Sequence, residues 1–362
     1  MPLAKIHLVF CLVAAAFLSS CGSPGVPLPP SLELAKPVTD LRAVRKGDKV
    51  FLTWTAPTLT TDRHNLQHPG ATEVCRSVGA TMSECGSPVA RLLPAKTSEN
   101  KGQPKDTGST FTDDLPAALQ SANPNSNVVY AVSVLNSYGR GAGLSNKVQV
   151  PAAPTLPPPN DFRAELEGDG VRLAWAPILL PPQIPGVRFA CRVYRREQGS
   201  NKDSVAGEVS IAAESPSMLL DQSFEWEKTY AYRATVVTLI AQGNGPEQQV
   251  EGNDTPLVSI VAHDVFPPST PAGLQGVFSG PGQKLFIDLV WTPNSDSDLA
   301  GYNIYRHEQG GEPVKLNPEL ANAPAFRDLQ VLSGHQYFYS VTAVDVRGNE
   351  SPHSEEASET VP

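Results

Sequence analysis

The stretch Leu285-Phe-Ile287-Asp-Leu289-Val-Trp291-Thr-Pro293 decides the fold of this chain. Leu285, Ile287, Leu289 and Trp291 fall on every second residue, so their side chains leave one face of an extended strand while Asp288 leaves the other. Tyr339-Ser-Val341-Thr-Ala343 has the same parity, with Ser340 and Thr342 turned away. One sheet alone would leave such a face in water. Two facing sheets hide it, with the tryptophan filling the space between them. No segment after residue 22 carries a long apolar stripe at helical spacing, and the 35 prolines interrupt most candidates.

The pattern occurs three times. The first copy opens Pro37-Val-Thr-Asp-Leu41 and continues through Val50-Phe-Leu52-Thr-Trp54, Glu73-Val74-Cys75-Arg76 and Tyr130-Ala-Val132-Ser-Val134. The second runs through Val171-Arg-Leu173-Ala-Trp175, Cys191-Arg-Val193-Tyr194-Arg195 and Tyr230-Ala-Tyr232-Arg-Ala234. The third has Pro271-Ala-Gly-Leu274, Trp291, Gly301-Tyr302-Asn-Ile304-Tyr305-Arg306 and Tyr337-Phe-Tyr339. Trp54, Trp175 and Trp291 are separated by 121 and 116 residues, a period of whole domains rather than of solenoid units.

The proline-led start, L-x-W-x-x-P, G-Y-x-I-Y-R and Y-x-Y-x-V-x-A-V-D followed by Gly348-Asn-Glu-Ser351 resemble the fibronectin type III domain. That resemblance implies an all-β chain of tandem immunoglobulin-like sandwiches, at residues 37–150, 158–264 and 268–362. It places Trp54, Trp175 and Trp291, with Tyr130, Tyr232 and Tyr339, in the three cores. In the third copy either Tyr337 or Tyr339 fills the tyrosine corner. The first copy carries extra polar material within 97–108 and near 117–127, read as surface loops. The proline-rich stretch 151–159 reads as a semi-rigid spacer.

The N-terminus lies outside this pattern. Lys5, the apolar run Ile6 to Leu18, and Leu18-Ser19-Ser20-Cys21 make residues 1–20 an export signal too short for a comfortable membrane span. Leu18 to Cys21 resembles the lipobox of bacterial lipoproteins. The resemblance implies that Cys21 becomes the first mature residue and carries palmitate-like acyl chains into a lipid bilayer, and Gly22 after it implies the outer membrane of a two-membrane bacterium. Residues 21–36 then form a flexible tether.

Export leaves Cys75, Cys85 and Cys191 in the folded part. Cys75 and Cys85 are close enough to join across a hairpin as a disulfide where disulfides persist, with free thiols or intermolecular bridging as the alternatives. Cys191 takes the inward place of Tyr302 and reads as a small buried hydrophobe. The run Asn294-Ser-Asp296-Ser-Asp298 reads as a turn more readily than as a calcium loop. Tyr194, Arg195, Arg196, Tyr305 and Arg306 read as an outward ladder.

The formal net charge of -9 gives no electrostatic reason to expect nucleic acid. No HExxH, CxxC or GxSxG occurs, so neither metal, cofactor nor catalysis is expected. The expected function is a non-enzymatic envelope lipoprotein presenting three modules to a protein or glycan. A structural spacer or assembly subunit is the alternative reading, and an enzyme the least favoured.

Overall fold

The computed structural model describes residues 32–79, 81–94, 108–212, 216–243 and 245–362. The export segment, Cys21, the tether up to residue 31 and most of the 97–108 loop lie outside the described residues. The chain divides into two compact units, Met1–Ala152 and Ala153–Pro362.

The first unit holds strands β1 (Arg42–Lys46), β2 (Lys49–Thr55), β3 (Pro69–Val78), β4 (Pro88–Leu92), β5 (Gly108–Asp114), β6 (Asn127–Asn136) and β7 (Val148–Pro151). β1, β2 and β5 pair antiparallel in one sheet, and β4-β3-β6-β7 form the other. Along β2, Val50, Leu52 and Trp54 are buried while their neighbours are exposed, and they meet Val74, Val128, Tyr130 and Val132 of the facing sheet. Alternation has made one face of each sheet apolar, and the two faces enclose the core.

One stretch read as loop is helical. Helix α1 (Ala117–Ala122) follows Pro116, whose missing N–H costs nothing at a helix start. Its Gln120 is buried, donating to the Leu115 carbonyl at 2.8 Å and accepting from Arg45 Nη2 at 2.8 Å. Arg45, 8% exposed, also donates to the carbonyls of Gly47 and Pro151. The helix is thus held by a polar contact that hydrophobic periodicity does not register.

The second unit contains two sandwiches with separate cores. Its first sandwich comprises β8 (Arg163–Glu167), β9 (Gly170–Ala174), β10 (Val187–Glu197), β11 (Ser204–Ser210), β12 (Met218–Asp221), β13 (Thr229–Gln242), β14 (Gly245–Asp254) and β15 (Val258–Val261). β13 is long enough to take two partners: β15 pairs with Thr229 to Tyr232, and β14 folds back along the remainder. Sequence alone did not suggest β14, because its Gly-Pro-Glu-Gln-Gln start is polar and proline-bearing. Residues of the proline-rich stretch lie on this hairpin. Ala153 is fully buried with Ile240 and Val250, and the Thr238 hydroxyl donates to the Pro154 carbonyl at 2.9 Å.

The last sandwich comprises β16 (Ala272–Phe278), β17 (Ile287–Thr292), β18 (Leu299–Glu308), β19 (Val314–Lys315), β20 (Ala325–Asp328), β21 (Gln336–Asp345) and β22 (Ala357–Thr360). Sheet β16-β17-β20 faces sheet β19-β18-β21-β22. Ile287, Leu289 and Trp291 pack between them against Tyr302, Ile304, Tyr339 and Val341. Among the described residues, no helix is long and apolar enough to cross a membrane.

Candidate functional site

Each module builds one polar constellation inside its sandwich. In the third, Arg306 of β18 stands opposite Tyr339 of β21 in the strand register. Both reach one oxygen, Oδ2 of Asp328 at the end of β20, at 2.7 and 2.9 Å. Asp328 belongs to the facing sheet, so the contact ties the two layers together. The second module repeats it with Arg195 opposite Tyr232, both on Asp221 at 2.8 and 3.0 Å. In the first, Arg76 opposite Tyr130 meets Asp113 at 2.7 and 2.6 Å. The three aspartates are buried, and burial followed by the aspartate's charge pushes the Tyr339 and Tyr232 phenols well above their ordinary range. Such an arrangement stabilises a neutral phenol and an ion pair; it offers no reactive group to solvent.

Arg195 and Arg306 therefore do not belong to an outward ladder. Side chains alternate along a strand, so the tyrosine before each arginine points out and the arginine turns in. The tyrosine corner is also assigned. The Leu332 N–H donates to the Tyr337 hydroxyl at 3.0 Å, and the Glu225 N–H to the Tyr230 hydroxyl at 3.1 Å. Tyr337, not Tyr339, holds the corner. Val128 occupies the corresponding place in the first module, two residues before Tyr130.

On the outer faces, Tyr194 and Tyr305 each donate their hydroxyl to a glutamate, Glu251 and Glu350. In the second module, charge closes the surrounding face. Arg192 reaches Glu208 at 2.7 Å and Glu251 at 3.2 Å, and Arg233 lies 4.1 Å over the Tyr194 ring while pairing with Asp203 at 2.9 Å. Hydrogen bonds from Arg196, then from Arg233, bring the Asp203 carboxyl down to about 2.

The third module presents rings instead. Tyr305 and His353 lie 4.5 Å apart between centroids, and His307 stacks on Phe338 at 5.1 Å with planes 12° apart. Because Tyr305 pairs with Ser340 and His307 with Phe338 in adjacent registers, the two ring pairs form a strip on one face. Glu350 stands beside it, its Oε1 accepting from Tyr305 at 2.7 Å and Asn303 at 2.9 Å. Burial opposes the Glu350 charge, but hydrogen bonds from Asn303, Thr342 and Tyr305 outweigh it and hold the carboxyl below its usual range.

In the first module, Cys75 stands where Tyr194 and Tyr305 stand in the others. It is joined to Cys85 by a disulfide with Cα atoms 5.3 Å apart. The outward position is nonetheless 1% exposed, because the bridged loop brings Met82 over Cys75, Val129 and Ala131. Cys191 is a free, fully buried thiol; burial, then the charge of Glu208, pushes it up to about 12. The Asn294 to Asp298 run is a turn in which Asp296 accepts from the Ser269 N–H at 3.1 Å. Trp54, Trp175 and Trp291 are 5%, 5% and 4% exposed.

The fold is a tandem of immunoglobulin-like sandwiches of the fibronectin type III kind. The chain is a multidomain β-sandwich protein. No family model matches it. Two curated relatives, both named amylopullulanase, are similar to part of it. That of Thermoanaerobacterium saccharolyticum is 38% identical over 100 residues, covering 27% of this chain and 7% of the relative. That of Thermoanaerobacterium thermosulfurigenes is 34% identical over 102 residues, covering 28% and 5%. The chain thus spans a small fraction of the relatives it matches. An Fn3-like protein from Clostridium thermocellum, solved by crystallography, is 28% identical with a TM-score of 0.23, covering 27% of this chain and 96% of that one. The FN1–FN3 domains of chicken CNTN1 cover 90% of this chain at 14% identity and a TM-score of 0.26.

Proposed function

We propose that this protein is a non-catalytic envelope lipoprotein, held to a bilayer by acyl chains on Cys21, whose third module binds glycan on its outer sheet face. The ring strip of Tyr305, His353, His307 and Phe338 carries this reading. Flat aromatic faces pack against the C–H faces of sugar rings, and neighbouring polar groups such as Glu350 fix the hydroxyls. The partial similarity to two proteins named for a glucan substrate is consistent with it. The second module favours a different role. Its outer face is occupied by mutually satisfied ion pairs, which suits a spacer that raises the third module from the membrane.

Affinity electrophoresis of the mature chain in gels containing soluble α-glucans or other envelope glycans tests the reading. Retardation by a glycan that is lost in a Tyr305→Ala, His353→Ala variant supports it. Unretarded migration in all gels returns the protein to the spacer role. Labelling with a fatty-acid probe, compared with Cys21→Ser, tests the anchor separately, and equal labelling of the two overturns it.

A further inference from the structure

We propose that the third module takes a sugar carrying a free amino group, whose ammonium pairs with Glu350 beside the ring strip. The inference rests on the glycan reading above and names the class of glycan. The second module supplies the comparison. There Tyr194 donates its hydroxyl to Glu251, and two cations of the same chain attend the pair. Arg192 reaches Glu251 at 3.2 Å, and the Arg233 guanidinium lies 4.1 Å over the Tyr194 ring. Arg192 stands two residues before Tyr194 on β10, and Arg233 stands opposite Tyr194 on β13.

The third module keeps the tyrosine and the glutamate but neither arginine. Tyr305 donates to Glu350, yet the residue two before it is Asn303 and the residue opposite it is Ser340. Ser340 holds a different companion for the ring: its hydroxyl lies 2.8 Å from Nδ1 of His353, which sits against Tyr305. The ring's neighbour has thus been replaced, whereas the carboxylate's has not.

Glu350 nevertheless stays charged. Burial opposes its charge, but Asn303, Thr342 and Tyr305 all donate to Oε1 and outweigh it. Oε2 accepts nothing from the described residues. Arg306, next along β18, turns inward to Asp328, and the exposed Lys315 opposite Tyr305 acts on Glu350 only through space.

A separate observation points to a missing donor at the same place. Asn303 is 4% exposed, and its Oδ1 is buried without a hydrogen-bond partner. Its amide cannot be reversed at no cost, because Nδ2 donates to Glu350 at 2.9 Å and the reversed group would set two acceptors face to face. An orphaned acceptor beside an unpaired carboxylate, where the second module has a guanidinium, favours a positively charged donor from outside the chain. An amino sugar brings both parts: a C–H face for Tyr305 and His353, and an ammonium for Glu350. A neutral or N-acetylated sugar brings only the first, and an anionic sugar is repelled.

The test is calorimetric titration of the mature chain at pH ~6, where sugar amines carry charge, with four probes: the tetrasaccharides of glucosamine, N-acetylglucosamine and glucose, and tetralysine. Expected is a dissociation constant for the glucosamine oligomer at least roughly tenfold below those of the other three, the preference shrinking in about 0.5 M sodium chloride. Glu350→Gln removes the charge, and Asn303→Arg supplies the guanidinium that Arg192 provides in the second module. Loss of the preference in either variant, with native circular dichroism, supports the proposal. Equal binding of the three tetrasaccharides by the wild type, or a full preference in folded Glu350→Gln, overturns it and leaves the glycan reading standing. Binding of tetralysine as tight as that of the glucosamine oligomer overturns it in favour of a basic peptide, and no binding of any probe overturns both readings. Should both variants fail to fold, the wild-type preference and its salt dependence decide.

Discussion

Arg306 and Tyr339 face each other across β18 and β21, and both end on the same oxygen of Asp328. The pair spends its polar groups inside the sandwich on one carboxylate of the opposite layer. Tyr339→Phe removes one bond to a charged acceptor and is expected to cost about 1.5–3 kcal/mol. Asp328→Ala strands both partners and is expected to cost about 3–5 kcal/mol. Calorimetry of the full chain checks this through the third module's transition, and an Asp328→Ala no worse than Tyr339→Phe would show that the arginine needs no counter-charge.

Alkali is expected to unfold the modules through their tyrosines. Burial, more than any neighbouring charge, raises Tyr130, Tyr232 and Tyr339, and it brings Tyr305 to about 12. A phenol whose folded value is raised stabilises the fold fully below the unfolded value, near pH ~10, and that stability is lost as pH rises through the folded value. Each such tyrosine then removes about 1.4 kcal/mol per pH unit. Tyrosinate absorbance followed during titration should show these residues ionising together with unfolding. Their ionisation in a chain with native circular dichroism would contradict the burial argument.

Reducing Cys75–Cys85 should weaken the first module alone. The bridge closes a loop of sequence separation 10, for which chain entropy gives about 2–3 kcal/mol. Opening it also uncovers Met82 and the apolar patch beneath. The first module's unfolding temperature, compared with and without reductant and in Cys75→Ala, Cys85→Ala, is the measurement. An unchanged transition means that Met82 stays in place without the bridge.

Cys191 should be silent toward thiol reagents at neutral pH. It is fully buried and its thiol is pushed up to about 12. Quantitative labelling in denaturant, and none in native buffer, is the expected pair of results. Rapid native labelling would mean that the second core opens far more readily than its packing suggests.

The sequence made the apolar half of each module legible and the polar half largely illegible. Trp291, Ile287 and Tyr339 announce themselves because burial on a strand imposes a two-residue period. Asp328 does not, since an aspartate near a strand end reads as a turn residue, although it stands 11 residues before its tyrosine in two modules. In the first module the separation is 17, because α1 intervenes. Arg306 is conspicuous in the sequence but its face is not, since its long side chain fits either a solvent ladder or the interior ion pair it makes with Asp328.

The position of Ala153 bears on how this protein can be divided for experiment. Ala153 fills the space beside Ile240 and Val250, and a Cβ at Gly252 would come 2.5 Å from the Leu156 carbonyl oxygen. A fragment beginning at Asn160 would leave the long β13–β14 hairpin stripped along one side and prone to stick to itself. Beginning at Ala153 keeps that seam closed, so the boundary useful for expression lies before the prolines rather than after them.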